Sequence, residues 1–272
     1  MNTILSLWQY SFIQRAVITG TFVGMLCAVL GLFLVLRKYS LIGDGLAHTS
    51  FAGVALGLCL GIFPLYASLP VAIIGSLVIL YLSTRANVYG DTAIGIISAV
   101  GISSAVMLSS LSRGFNVDLM SYLFGNILAV RTTEMWASII LAICSLIGLA
   151  LLYHDLFALT FDETYAKSLG IKTAQLNILF FILTAIVVVL AIQVVGVMLV
   201  SALLILPATT ALQLAKGFQQ AIVIAIAVST CSIVFGIALS FARDLPTGAT
   251  IVLLNFALFV LAWLTRTVTK DN

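Results

Sequence analysis

AQLNILFFILTAIVVVLAIQVVGVMLVSALLILPATTALQLA, residues 174–215, contains no charged residue. As one straight helix at about 1.5 Å per residue it would be roughly 60 Å long, twice a hydrocarbon core of about 30 Å. It therefore folds back at least once, and Gln193 to Gly196 is the expected turn, giving two spans. The rest of the chain has the same character. It is 62% hydrophobic and 8% charged, with a mean hydropathy of +1.26, whereas a soluble domain carries about 25% charged residues. We read an all-α fold, a polytopic membrane helix bundle of eight to nine transmembrane helices. It forms a single transmembrane domain over residues 1–272, with a cytoplasmic segment at about 154–172.

Working outward, residues 1–14 read as an interfacial segment, with Trp8 and Tyr10 at the level of an aromatic belt. No cleavable signal peptide is expected, because the start is not basic and the apolar stretch after it runs on as a span. Spans follow at about 15–36, 40–61, 69–82, 91–111 and 135–153, then two in the uncharged run, one at 221–241 and a last one ending near Arg266. The positive-inside rule places Arg37, Lys38, Arg85, Lys216, Arg266 and Lys270 in the cytoplasm, which puts the N-terminus outside and the C-terminus inside. Arg113 and Arg131 bound an outer segment and run against that tally, but moving it inward would reverse every other basic boundary. Asp118 can cap a short helix there, and Asp91–Thr92 can cap the fourth span. Cys27, Cys59, Cys144 and Cys231 are isolated in apolar stretches and read as small core residues, not as disulfides or a CxxC metal site. A net charge of +3, scattered along the chain, does not suggest nucleic acid.

The second span, SLIGDGLAHTSFAGVALGLCLG at 40–61, places an acid and an imidazole in a stretch otherwise built for lipid. On a helix Asp44 and His48 are four residues apart and share a face, close enough to hold one ligand between them. Gly45, Thr49, Gly53, Gly57 and Gly61 form a ridge of small residues beside them, which lets another helix approach closely. An ionised Asp in a span costs roughly 2.5–3.5 kcal/mol on insertion scales, and a divalent cation can offset that charge. The plainer reading is that Asp44 caps the start of the helix and His48 bonds a nearby carbonyl. Pro207 removes a backbone donor from a later span, with Ser201, Thr209 and Thr210 beside it, and marks either a moving gate or a static kink.

A further segment, HDLFALTFDETYAKSLGIK at 154–172, carries its own start and stop signals. Asp162 suits an N-cap, Glu163 the first turn, Lys167 the last turn, and Gly170 a left-handed C-terminal residue. Tyr165, Ala166 and Leu169 are expected on one side of this two-turn helix. A helix below about 12 residues is marginal alone, so it packs on a partner protein or, equally, on the membrane surface or its own bundle.

Four segments resemble a known family and occur in its order: LRKYSLIGDGLAHTSFAGVALG at 36–57, DTAIGI at 91–96, NVDLMSYLFGNILAV at 116–130 and VGVMLVSALLILPATTA at 195–211. They are similar to the permease subunit of bacterial ABC importers for zinc or manganese, and the third segment resembles the zinc permeases more. The resemblance implies a permease homodimer in the bacterial cytoplasmic membrane, a cytoplasmic ABC ATPase dimer that binds ATP, and an extracytoplasmic metal-binding protein. It implies no permanently bound cofactor, zinc as the transported ion, and manganese or iron as alternatives. Asp44 and His48 match the family's intramembrane metal contacts. Residues 161–171, including Asp162, Glu163, Tyr165, Ala166, Lys167, Leu169 and Gly170, match its ATPase-coupling helix. Two copies would offer two carboxylates and two imidazoles, a set that suits tetrahedral zinc and admits manganese with added oxygens. The chain has no GxxxxGK[ST] loop, so ATP hydrolysis falls to a separate subunit and the chain is not expected to be an enzyme. A proton-coupled secondary transporter and a non-transporting scaffold are the readings from other classes.

Overall fold

The computed structural model describes residues 10–86, 88–111, 132–197 and 199–270, and all regular structure among them is helical. Trp8, Asp118, and the segment at 116–130 lie outside the described residues.

Helix α1 (Ser11–Leu36) begins where Tyr10 leaves extended backbone and stops at Arg37 and Lys38. Lys38 turns the chain with a left-handed φ of 62°, and the Tyr39 amide donates to the Leu34 carbonyl at 2.9 Å. Helix α2 (Ile42–Leu60) ends at Gly61, whose φ is 65°. The Ile62 amide reaches back to Gly57 O and the Gly61 amide to Leu58 O, the paired closure that a left-handed glycine permits. Pro64 opens α3 (Pro64–Thr84) in its first turn, where a missing N–H costs nothing. Helix α4 (Gly90–Leu111) starts one residue earlier than expected, so Asp91 sits in its first turn and is not the cap.

Helix α5 (Thr132–Leu151) and α6 (Tyr153–Phe161) meet at a 64° bend. Residues 154–161, expected as part of an interhelical stretch, are helical here. After α7 (Glu163–Ser168) come α8 (Thr173–Val195), α9 (Val200–Leu214), α10 (Phe218–Arg243) and α11 (Thr247–Lys270). The uncharged run does fold back, but the turn starts at Gly196, whose φ is 84°, rather than at Gln193. Helix α9 continues through Pro207. Thr209 and Thr210 donate to the carbonyls of Ile205 and Leu206, while the buried Ser201 hydroxyl has no partner among the described residues.

By length and composition 6 helices among the described residues can cross a membrane, or 7 if α5 and α6 count as one bent span. That is fewer than the eight to nine expected. Each expected span is a helix, but α9 has only 15 residues, and α2 is not among the candidates; its Asp44, His48 and glycines dilute its apolar content. The chain is a multi-pass membrane protein.

Of the six membrane-crossing candidates α1 and α8 are the most enclosed, and Phe33, Phe180 and Phe181 on them are fully buried. Helix α2 packs chiefly on α3 and α4. Its ridge serves both neighbours: a Cβ on Gly53 would come within 2.5 Å of Ser68 Cα in α3, and one on Gly45 within 2.7 Å of Ile94 in α4. A reciprocal contact with backbone comes from α4, where a Cβ on Gly101 would lie 2.8 Å from the backbone of His48 and Thr49. A Cβ on Gly95 of the same helix would meet nothing within 4 Å. Gly101→Ala should therefore cost about 1–3 kcal/mol by overpacking. Gly95→Ala should be neutral or up to about 1 kcal/mol stabilising. Thermal unfolding of the two purified variants distinguishes them; equal midpoints would contradict this packing.

Candidate functional site

Asp44 lies in the first turn of α2, and His48 one turn further. The N-cap is Leu41, which makes no side-chain cap bond, so Asp44 does not cap the helix. His48 Nε2 stands 3.6 Å from Asp44 Oδ1, with the side chains 18% and 50% exposed respectively. That gap is longer than a hydrogen bond; the two groups face one another without closing. Among the described residues no group of three His, Cys, Asp or Glu forms a metal cluster. The chain thus presents two hard or borderline donors, one carboxylate oxygen and one imidazole nitrogen.

Packing fixes where these donors sit. Gly101 brings α4 against the backbone of His48, and Gly75 of α3 would meet Thr49 at 2.7 Å if it carried a Cβ. On another face Gly43, beside Asp44, lies against Ser201 and Leu204 of α9. The Thr49 hydroxyl donates to Gly45 O at 2.7 Å, so it is not aimed at a ligand. A cavity of about 380 Å³ between α2, α3 and α4 starts at Thr49 and runs past Gly75, Gly101 and Ser104, but neither Asp44 nor His48 lines it. The sequence reading took Gly101 as one more residue of a lipid span. Its role at His48 had no local signal, since it depends on which helices become neighbours.

The second site is α7. Asp162 accepts from the amides of Thr164 and Tyr165 at 2.8 and 3.0 Å, as an N-cap should. Lys167 Nζ pairs with Glu163 Oε1 at 2.8 Å along the helix. Gly170 has a φ of 81°, and the amides of Gly170 and Ile171 close on Lys167 O and Ala166 O. Each local signal in residues 162–170 is therefore realised. The shared face is not: Ala166 is buried against the chain itself, whereas Tyr165 and Leu169 are exposed. Beside α7 lies a cavity of about 510 Å³, lined by Tyr81, Thr84 and Arg85 of α3, Glu163 and Lys167, and Asn177 of α8.

Residues 9–266 match the ABC 3 transport family. The chain belongs to that family. As an ABC 3 chain it is a membrane permease of an ABC transporter and does not itself hydrolyse ATP. It is 35% identical over 258 residues to the "Manganese transport system membrane protein MntC" of Listeria monocytogenes, covering 95% of this chain and 92% of that one. It is 33% identical over 260 residues to the "Manganese import system permease protein ScaB" of Streptococcus gordonii, covering 96% and 93%. Among solved structures, "PsaBC from Streptococcus pneumoniae in complex with Fab" superimposes with a TM-score of 0.86 at 30% identity, covering 96% of this chain and 94% of that one. The lean toward zinc finds no support in the Listeria and Streptococcus gordonii relatives, whose names carry manganese. It rested on the 116–130 segment, which is outside the described residues.

The cap geometry of α7 yields a direct test. Asp162→Ala should weaken the helix by about 1 kcal/mol, raising amide exchange at Thr164 and Tyr165 about fivefold, while Asp162→Asn keeps the cap and changes little. Hydrogen-exchange mass spectrometry of the purified permease reads both.

Proposed function

We propose that this ABC 3 permease carries a divalent transition metal, manganese rather than zinc, into a bacterial cell, with Asp44 and His48 as the ion's contacts in the membrane. The reading rests above all on that pair: an acid and an imidazole on one face of a helix held by α3, α4 and α9, in a chain whose relatives are named for manganese. Carboxylate and water oxygens suit manganese, and imidazole is accepted by most divalent transition metals. Manganese binds most weakly in the divalent series, so selection comes from site geometry rather than raw affinity. Two facing donors, with no third among the described residues, fit an ion that must be released after it is bound.

In this proposal two copies of the chain form the pathway, an extracytoplasmic protein delivers the ion, and a cytoplasmic ATPase dimer docks on α7. Tyr165 and Leu169 offer that docking surface, while Asp162, Glu163, Lys167 and Gly170 hold the helix and Ala166 seats it. The orientation follows from charge. Arg37, Arg85, Lys167, Lys172, Lys216 and Arg266 belong to helix ends and turns at the α7 end of the bundle, as the positive-inside rule asks of a cytoplasmic face.

Vesicles containing the permease, its ATPase and its binding protein provide the experiment. ATP-dependent uptake of manganese is expected to exceed that of zinc, and Asp44→Ala or His48→Ala should each lower it by at least about tenfold with ATPase assembly intact. Normal uptake in both variants would remove the pair from the pathway; zinc-only uptake would overturn the choice of ion.

A further inference from the structure

Arg37 combines burial, charge and position in a way that its place beside the first span did not foretell. It follows α1 directly, yet its guanidinium turns into the bundle. Nη2 donates to Asn177 Oδ1 on α8. The guanidinium carbon lies 4.8 Å from the centre of the Phe180 ring and 5.9 Å from that of Tyr39. Nη1 is buried with no partner among the described residues. Burial lowers the Arg37 pKa, while the Glu163 carboxylate acts the other way. The guanidinium is so strong a base that it remains cationic at neutral pH.

Asn177 is itself buried and stands in the second turn of α8, just after the Gly170 turn that joins α8 to α7. On the other side Arg37 opens the elbow into α2. Lys38 takes its left-handed conformation there, and Tyr39 packs edge-on against Phe181 at 5.2 Å. A Cβ on Gly90, at the start of α4, would meet the Tyr39 ring at 3.1 Å. Helix α2 then begins at Ile42, two residues before Asp44. The elbow is therefore tied to the start of α8 by a charge-assisted hydrogen bond, a cation over a ring, and an aromatic edge contact. Its freedom to move separately from α8 is small.

We propose that Arg37 and Asn177 form a strut through which displacement of α7 repositions the Asp44–His48 pair, making Arg37 a positioning residue for ion passage. The proposal rests on α7 being the ATPase-docking helix. A neutral side chain at 37 could fill the space, but it would lose the charged donor and the ring contact together, which is the combination that transmits a pull as well as a push.

The test uses the permease–ATPase complex in vesicles, with His48→Cys as reporter and Cys59, Cys144 and Cys231 replaced by serine. Labelling of position 48 by a water-soluble maleimide is compared with and without vanadate-trapped nucleotide. With Arg37 and Asn177 intact, trapping should change the labelling rate at least about fivefold, the lower range of allosteric coupling. Arg37→Gln and Asn177→Leu should abolish the change while ATP hydrolysis continues, and Asn177→Asp, which keeps an acceptor, should preserve it. A loss of the change that Asn177→Asp shares would show a mere packing role and overturn the strut. Responses in Arg37→Gln and Asn177→Leu equal to the parent's would also overturn it and leave the docking role of α7 standing. No response in the parent would instead defeat the docking reading, and the strut with it. Should Arg37→Gln fail to assemble, the two Asn177 variants decide the matter alone.

Discussion

A carboxylate and an imidazole within a membrane bundle impose one constraint before any other: lipid must be kept from them without closing them off. In this chain glycine does the work. Gly45 and Gly53 of α2, Gly75 of α3 and Gly101 of α4 each let a neighbour approach to a distance that no Cβ would allow. Helix α2 is thereby enclosed by backbone instead of bulky side chains, and Asp44 and His48 remain partly accessible on the face left over. Small-residue packing of this kind substitutes for the hydrophobic drive that lipid cannot supply between helices. The polar helix and its apolar neighbours are one device: neither the low apolar content of α2 nor the exposure of α4 makes sense separately.

The same logic explains what could be read without coordinates. Helix positions were legible because spans are long apolar runs punctuated by Arg37–Lys38, Phe63–Pro64 and Lys216, and punctuation is local. The Asp44–His48 pair followed from four-residue spacing, and the caps of α7 from Asp162 and Gly170. What escaped depends on neighbours. In a helix that is apolar all round, no periodic stripe reveals the buried side. Gly101 against His48, Ala166 turned inward, and Arg37 drawn into the bundle were therefore invisible. For a related reason, fewer helices among the described residues pass as spans on length and composition than the eight to nine expected: α2 and α9 are helices whose composition or length is not that of an independent lipid span. Their neighbours make up the difference.

Charge and aromatic residues sort the bundle into unlike ends. At the α7 end, Phe218 meets Phe33, Tyr153, Phe157 and Phe161, so the α5–α6 bend is packed down onto the start of α10. At the other, Tyr10 and Phe12 meet Phe241. These clusters tie the first and late helices together at both levels. The 64° bend then carries α6 across one end of the bundle, setting α7 beside α3 and α8 rather than leaving it on a free loop.

Tyr165 on the six-residue helix α7 and Leu169 at its C-cap stand exposed at the basic end of the bundle. Such a surface is a mark of incomplete assembly. In the assembly proposed above, a copy without its ATPase would display this apolar pair to water and a docked copy would hide it. On the docking proposed above, the two residues that would seat the partner are the same two that mark a chain still without it.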